Sequence, residues 1–379
     1  MNAKKILKIT AVALACVIGL TALLIGGYVA YVAIQYYRIE DNLTLEVVDS
    51  KSRTVETGME YSVMTYNAGF GAYSPEYSFF MDTGVMADSG KQVTGKYAKG
   101  MDKADVRKNV DGQISEFRKA DPDFCFLQEV DEMADRSYRI NMKEEFISSA
   151  QEYGATYAEN FHTANLFYPF NDPMGITNAG ILTLSKYNIE SAARRSFPLT
   201  DNFIDKLFDL DRCFAVHYLP VENSDKKLVM INLHMSAYDK GGTVRAKQLE
   251  MLNRVLAEEY SKGNYVIAGG DFNHCLIADK FSSVAEALSH FKSKQLVPEW
   301  VKNSVLHSSE LAEGFTICAD ADEATCRGAD IPYEKGVNYV NTIDGFIVSA
   351  NVRAVSVKTV PTEYAFSDHN PVILKFALI

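Results

Sequence analysis

The segment KLVMINLHMSAYDKGGTVRAKQLEMLNRVLAEEYSKGNYVIAGGDFN, residues 227–273, decides the fold class of this chain. It contains two short apolar runs, Lys227–His234 and Tyr265–Asp271, with the length and composition of buried strands. Between them, apolar residues of Val244–Tyr260 recur at three- and four-residue spacing, which is typical of an amphipathic helix. Strands that alternate with helices indicate α/β layers rather than an all-β sandwich or a helical bundle.

The same alternation continues through the rest of the chain. Five further apolar runs are typical of buried strands: Tyr61–Asn67, Phe124–Glu129, Ala179–Ser185, Thr342–Ser349 and Pro371–Phe376. No short-period repeat, low-complexity tract or Pro/Gly/Ser linker divides the region. We therefore predict a single domain over residues 59–379.

The N-terminal region is the most apolar part of the sequence. Between Lys8 and Arg38 lie 29 consecutive residues without a formal charge, whereas about 20 apolar residues suffice to cross a bilayer. A cleaved secretory signal and a lipoprotein signal ending at Cys16 are alternatives, but the apolar sequence continues well beyond Cys16. The pattern favours an uncleaved transmembrane helix over residues 9–37.

Flanking charges predict the orientation of this helix. Three lysines precede it in residues 1–8, whereas Arg38 is followed at once by acidic residues, so residues 1–8 are expected in the cytoplasm. Residues 38–58 then form a stalk or leading strand. The expected location is the cell membrane, with a single pass and an extracytoplasmic domain.

The body of the protein is acidic. The whole chain has a net charge of −11 and its first 38 residues contribute four positive charges, so the remaining 341 residues carry −15. Such a surface disfavours extended tracking along nucleic acid unless a positive cleft or a bound metal overrides it. No obligate protein partner is predicted.

Polar residues that serve as metal ligands or acid–base groups lie at or beside the ends of several predicted strands. They are Asn67, Glu129, His234, Asp271, Asn273, Asp344, Asp368 and His369. In α/β sheets such ends converge on one rim, so these side chains are expected to form an oxygen-rich site for a divalent metal, flanked by two imidazoles.

The ordered motifs MTYNAG, FLQEVD, INLHMS, GGDFN, TIDGF and FSDHNPV resemble those of the endonuclease/exonuclease/phosphatase superfamily, which has the deoxyribonuclease-I-like fold. The resemblance covers residues 60–379. It implies a four-layer α/β sandwich, in which two packed mixed β-sheets are flanked by helices. It also implies metal-dependent hydrolysis of phosphoesters at one rim.

The resemblance assigns a role to each motif residue. Glu129 is the principal Mg²⁺ ligand, supported by Asn67 and Asp368, with Mn²⁺ as a possible substitute. His369 acts on the side of the attacking water and is oriented by Asp344.

Two further roles concern the substrate. Asp271 and Asn273 orient the water and bind phosphoryl oxygens, and His234 contacts the phosphate or helps to protonate the leaving oxygen. Asn178 and Arg245 are weaker substrate-binding candidates, because an Asn-Ala-Gly turn needs no function and Arg245 also fits a structural role.

Several other features have a structural interpretation. Arg194 and Arg195 are expected to be a solvated pair, and His217 is expected to pack in a strand or lie at the surface. The aromatic insertion of residues 69–100 is expected to be an internally packed lid, with lipid contact as the rival interpretation. Cys318 and Cys326 remain open between a loop disulfide and free thiols.

Taken together, these features predict a membrane-anchored, Mg²⁺-dependent phosphoesterase whose substrate is nucleic acid, a phospholipid or another phosphodiester. The alternative is a non-catalytic extracytoplasmic binding domain on the same fold.

Overall fold

The computed structural model describes residues 3–200, 210–237 and 242–379. Residues 1 and 2 of the predicted cytoplasmic segment lie outside the described residues. The helices of the described chain are α1 (Ala3–Gln35), α2 (Lys103–Ala120), α3 (Met142–Ser149), α4 (Thr243–Ser261), α5 (Val284–Leu288) and α6 (Glu299–Lys302). The helix expected over Val244–Tyr260 is α4, and its bounds differ by one residue at each end.

Helix α1 stands apart from the body for most of its length. It has 33 residues, and its most apolar window has a mean hydropathy of 2.5 with none of its residues buried. It is long and apolar enough to cross a membrane, and it begins earlier and ends slightly earlier than the predicted span of residues 9–37.

Two large sheets form the body. The first has the strand order β1-β8-β9-β10-β11-β15-β12, and the second has the order β16-β17-β2-β5-β7-β6. Two short hairpins, β3-β4 and β13-β14, lie outside them. The strands are β1 (Leu43–Thr44), β2 (Glu60–Asn67), β3 (Thr83–Val85), β4 (Gln92–Thr94), β5 (Phe124–Asp131), β6 (Gly154–His162), β7 (Asn178–Ser185), β8 (Ser191–Ser196), β9 (Cys213–Pro220), β10 (Lys227–His234), β11 (Tyr265–Asp271), β12 (Phe315–Cys318), β13 (Cys326–Arg327), β14 (Val340–Asn341), β15 (Asp344–Ser349), β16 (Val352–Thr359) and β17 (Val372–Leu378).

The two sheets pack face to face and each carries helices on its outer face. Side chains of both sheets, such as Phe126 and Met230, share the central core. A second core joins the outer face of the first sheet to α4, and a third joins the outer face of the second sheet to α2 and α3. This arrangement confirms the predicted four-layer sandwich of two mixed sheets.

Strand direction places the motif residues at one edge. Strands β10 and β11 are parallel, as are β2 and β5, and in register His234 lies beside Asp271 and Asn67 beside Gln128. Strand β15 is antiparallel to β11, so its first residue, Asp344, pairs with the last residue of β11. The carboxyl ends of the parallel strands and the start of β15 therefore meet at the same rim.

Arg194 and Arg195, which were predicted to be a solvated pair, lie in different environments. The expectation that Arg194 is solvated is wrong: its side chain is buried and donates from Nε to the Glu159 carbonyl and from Nη2 to the Asp211 carbonyl, both at 2.8 Å. Arg195 pairs with Asp41 at 3.1 Å. Because its guanidinium donates to several backbone carbonyls at once, Arg194 can be buried without leaving its donors unpaired.

The aromatic residues of the 69–100 insertion pack mainly against one another. Phe70, Tyr73 and Tyr77 are buried in one cluster, and the rings of Tyr73 and Tyr77 lie 4.7 Å apart. Cys318 and Cys326 are both free thiols.

His217 is packed, as predicted, and joins the two sheets. From β9 its Nδ1 donates to the Met230 carbonyl at 3.0 Å, and its Nε2 accepts from Thr156 Oγ1 of the opposite sheet at 2.7 Å. Burial lowers the pKa of His217 to about 4. The imidazole is therefore neutral in the folded protein at neutral pH.

This neutral histidine makes stability depend on pH. Its folded pKa lies below the unfolded value of about 6.5, so its contribution is complete above pH 6.5 and is lost as the pH falls towards 4. We expect the drop in unfolding free energy over this range to be smaller in His217→Gln by about 3 kcal/mol. Urea unfolding at several pH values measures it, with exposed His290→Gln as the control; equal pH profiles for wild type and His217→Gln would contradict the assignment.

Candidate active site

Asp271 lies at the centre of the rim. Its Oδ2 accepts a hydrogen bond from Asn67 Nδ2 of the opposite sheet at 3.0 Å, and its Oδ1 accepts from the Asn273 backbone N–H at 2.8 Å. The Nε2 atoms of His234 and His369 lie 3.5 Å and 3.8 Å from the same Oδ2. Burial, followed by the charge of Asp344, raises the pKa of Asp271 to about 7.

Glu129 comes from an irregular position in β5. The β5–β7 register shifts between Leu127 and Val130, and Glu129 has a φ of 53°. Such a conformation is strained for a residue with a Cβ, and it is typical of functional bulges. Its Oε1 lies 3.3 Å from Asn67 Nδ2 and 4.0 Å from His234 Nε2. The side chain is partly exposed, so the bulge presents a carboxylate at the mouth of the site.

His369 and Asp344 form a buried pair. The two groups are 2.8 Å apart, between His369 Nδ1 and Asp344 Oδ2. Burial lowers the pKa of His369, but the charge of Asp344, other negative groups nearby and the hydrogen bond to Asp344 together outweigh it, so this pKa lies well above the usual value. The pair therefore holds a charged imidazolium whose Nε2 faces Asp271.

His234 has the opposite electrostatic character. Burial lowers its pKa well below the usual value, and the positive charges of Arg212, His369 and Arg136 lower it further. Its Nδ1 is buried and has no hydrogen-bond partner among the residues that the structure describes. The rim thus combines one neutral and one charged imidazole on the two sides of Asp271.

The loop before β17 places Asp368. Ser367 Oγ donates to the Asn67 carbonyl at 2.8 Å, and the Asp368 carbonyl accepts from the Arg327 N–H at 2.9 Å. Burial raises the pKa of Asp368 to about 6; the charge of His369 opposes this shift, and the charge of Glu129 adds to it.

The donor set fits a hard divalent cation. Burial and neighbouring carboxylates raise the pKa values of the acidic groups here, and a bound cation would stabilise their charged forms. Glu129 and Asp368 offer oxygen ligands, whereas Asn67 Oδ1 accepts from the Gly69 N–H and its Nδ2 faces the carboxylates. Ligation by Asn67 therefore requires its amide to rotate. Cys326 lies within 4.8 Å of ligand atoms of Asp368 and His369, but burial raises its thiol pKa to about 12, so it is a poor ligand for such a cation.

Comparison with known proteins identifies the family of this chain. Residues 64–369 match the model of the Endonuclease/Exonuclease/phosphatase family. This match covers well over half of the chain. The chain belongs to that family.

Solved structures show the same fold at low sequence identity. TDP2 from Caenorhabditis elegans is 15% identical with a TM-score of 0.50, covering 85% of this chain and 75% of that one. An endonuclease/exonuclease/phosphatase from Beutenbergia cavernae is 13% identical with a TM-score of 0.53, covering 84% and 72%. ANGEL2, a 2′,3′-cyclic phosphatase, is 17% identical with a TM-score of 0.51, covering 90% and 99%. No curated protein sequence matches the chain.

The family motifs also contain residues that join the sheets behind the site. Gln128 of the QE motif donates from Nε2 to Asn232 Oδ1 of the NLH motif at 2.8 Å, and Asn232 Nδ2 donates to the Leu182 carbonyl at 3.1 Å. These buried amides fix the spacing between the two halves of the site, and the sequence analysis assigned them no role.

The weaker candidates lie beside the cluster rather than in it. Asn178 begins β7 at the same edge, where its Oδ1 lies 3.0 Å from His162 Nδ1. Arg245 is buried on α4 and donates to the Ala237 carbonyl at 2.8 Å.

Asn273 Nδ2 donates to the Met235 carbonyl at 2.9 Å, so this amide holds the chain that follows His234. The structure brings the other predicted residues together.

Arg212 is a candidate that the sequence analysis missed. It is buried, its Nε and Nη1 have no hydrogen-bond partner among the described residues, and its charge lowers the pKa of His234. It lies just before β9 and belongs to none of the motifs, so no sequence signal connected it with the rim.

Gly69 provides a stability test of how the Asp368 loop is packed. Its φ is +49°, and a Cβ built on it would lie 2.7 Å from Tyr73 Cδ2 and 2.9 Å from Asp368 Oδ1. Gly90 has a similar φ of +65° but nothing within 4 Å of its Cβ position. Both alanine variants bear the cost of positive φ, about 1 kcal/mol, and Gly69→Ala bears about 1–3 kcal/mol more from overpacking. Chemical unfolding measures the free energy of unfolding of both variants. Equal losses in the two would show that the loop relaxes around the added methyl group at no energetic cost.

Proposed function

We propose that this chain is a membrane-anchored hydrolase of phosphodiester or phosphomonoester bonds that depends on a divalent metal. The observation that carries the proposal is the set of groups around Asp271: Asn67 from the other sheet, one neutral and one charged imidazole within 4 Å, and the His369–Asp344 pair. Family membership supports the general class of phosphoester hydrolysis.

The metal would be held by Glu129 and Asp368, with Asn67 after rotation of its amide. Mg²⁺ suits these ligands, and Mn²⁺ is the expected substitute. When bound, such an ion supplies positive charge that binds the substrate phosphate and offsets the charge that develops on it.

The residues around the ion have distinct tasks in this proposal. Asp271, with a pKa of about 7, accepts a proton from the attacking water, which then forms a bond to phosphorus as the bond to the leaving oxygen breaks. His369 holds its positive charge towards the phosphoryl oxygens and is kept in place by Asp344. His234, between Asp271 and Glu129, contacts the phosphate or leaving oxygen from the other side.

Membrane anchoring rests on helix α1. At 1.5 Å per residue its 33 residues are about 50 Å long, more than the roughly 30 Å of a hydrocarbon core. The three lysines at its start favour a cytoplasmic N-terminus, and the catalytic domain is then extracytoplasmic.

Glu129→Gln tests the metal site. We expect a loss of at least ~100-fold in hydrolysis of bis-p-nitrophenyl phosphate with Mg²⁺, equal to about 3 kcal/mol, and a similar loss for the wild type in EDTA. Mg²⁺ should also raise the melting temperature of the wild type and have little effect on that of the variant. Exposed Glu152→Gln is the matched control. Full Mg²⁺-dependent activity in Glu129→Gln would refute the assignment.

Arg212 is expected to bind a phosphoryl oxygen, because its buried Nε and Nη1 have no partner within the part of the chain that the structure describes. We expect Arg212→Gln to lower kcat/KM by about 100-fold and Arg212→Lys to recover part of the loss, since the charge is retained. Exposed Arg254→Gln controls for the removal of a positive charge. Steady-state kinetics on the same diester measures the effect, and an unchanged kcat/KM would make Arg212 structural.

A further inference from the structure

The loop between β6 and β7, residues 163–177, contacts the end of helix α1. Val32 of the helix is only 2% exposed because it packs against Ala164 of the loop. The Tyr28 hydroxyl donates to the Asn165 carbonyl at 3.4 Å and accepts from the Phe167 N–H at 3.2 Å. The rings of Tyr28 and Phe167 lie 5.4 Å apart. The loop is therefore fixed to the last turns of the apolar helix.

Strand topology places this loop at the catalytic rim. Strand β7 runs antiparallel to both β5 and β6, with Asp131 beside Ala179 and Asn178 beside His162. The end of β6 and the start of β7 thus lie at the same edge as the end of β5, which carries Glu129. Helix α1 consequently meets the body on its catalytic side.

The position of Tyr28 along α1 gives the depth of the contact. The last charge at the start of the helix is Lys8, and 20 residues at 1.5 Å each place Tyr28 about 30 Å from it. This distance equals the thickness of the hydrocarbon core, so Tyr28 and Phe167 lie at its outer boundary, where aromatic residues are enriched.

The tip of the loop presents aromatic side chains to solvent. Phe170 is 85% exposed and Tyr168 is 62% exposed, and their rings lie 6.1 Å apart. Asp172 of the same loop is neutralised by Lys99 at 3.1 Å. An uncharged aromatic tip that continues the apolar surface of a membrane helix has the composition of an interfacial anchor.

We propose that the β6–β7 loop inserts Tyr168 and Phe170 into the outer leaflet and turns the catalytic rim towards the bilayer, so that the substrate is a phosphodiester in a phospholipid headgroup. This proposal rests on the proposed function. In the reaction, water adds its oxygen to phosphorus, one ester P–O bond breaks, and the leaving oxygen gains a proton, which gives an alcohol and a phosphomonoester.

The first experiment measures insertion in the full-length chain. In a Trp300→Phe background, Phe170→Trp is compared with Val355→Trp in proteoliposomes containing brominated phosphatidylcholine. Val355 is 45% exposed and lies on β16, at the opposite end of the same sheet from β6. We expect strong quenching of the tryptophan at 170 and little at 355; equal quenching at the two positions would overturn the insertion.

The second experiment measures substrate class. Wild type and the double variant Tyr168→Ser/Phe170→Ser, both still held by α1, are assayed with Mg²⁺ on vesicles of phosphatidylcholine, phosphatidylethanolamine and phosphatidylglycerol and on soluble bis-p-nitrophenyl phosphate. We expect the ratio of vesicle to soluble rates to fall at least ~10-fold in the double variant, with no change in Val355→Ser.

The outcomes separate the two proposals. Wild type that cleaves the soluble diester but not vesicle lipid, or a ratio unchanged by the double variant, would overturn the lipid proposal and leave the proposed function intact. No metal-dependent cleavage of any of these phosphoesters would overturn the proposed function itself.

Discussion

The hydrogen bond from Asn67 to Asp271 joins the two sheets at the point where all the candidate chemistry lies. Each sheet alone supplies an incomplete set: Asn67 and Glu129 come from the second sheet, and His234 and Asp271 come from the first. The site therefore exists only when the sandwich is packed in its correct register. The Gln128–Asn232 pair behind it holds that register, because a buried amide without its partner would cost free energy.

Burial and like charge also prepare the rim for ligands. Burial and neighbouring carboxylates raise the pKa values of Asp271 and Asp368, although the charge of His369 opposes both shifts. The positive φ of Glu129 adds local strain at the same place. Perturbed carboxylates and local strain that occur together at one edge are a mark of binding or catalytic sites.

The sequence predicted the seven apolar strands well, since long apolar runs ending in polar residues depend only on local composition. It missed β6, β8 and β16, and it did not reveal the contacts of buried polar residues: Arg194 donates to backbone carbonyls, and His217 bonds to Thr156 across the sandwich. Arg212 was missed for the same reason. The motif residues could be found because they stand at strand ends, but the contacts between them depend on sheet packing, which no spacing reveals.

The acidic charge of the body and the position of the rim are consistent with each other. A net charge of −15 over residues 39–379 repels polyanions at long range, so a substrate such as nucleic acid must approach against the field of the protein. A lipid in the same bilayer reaches the rim by lateral diffusion and needs no such attraction. Only short-range positive groups are then required, and His369, Arg212 and Arg136 all act on the rim closely enough to lower the pKa of His234. A few positive groups close to the rim of an acidic body thus suit the proposed lipid substrate better than they suit a polyanion.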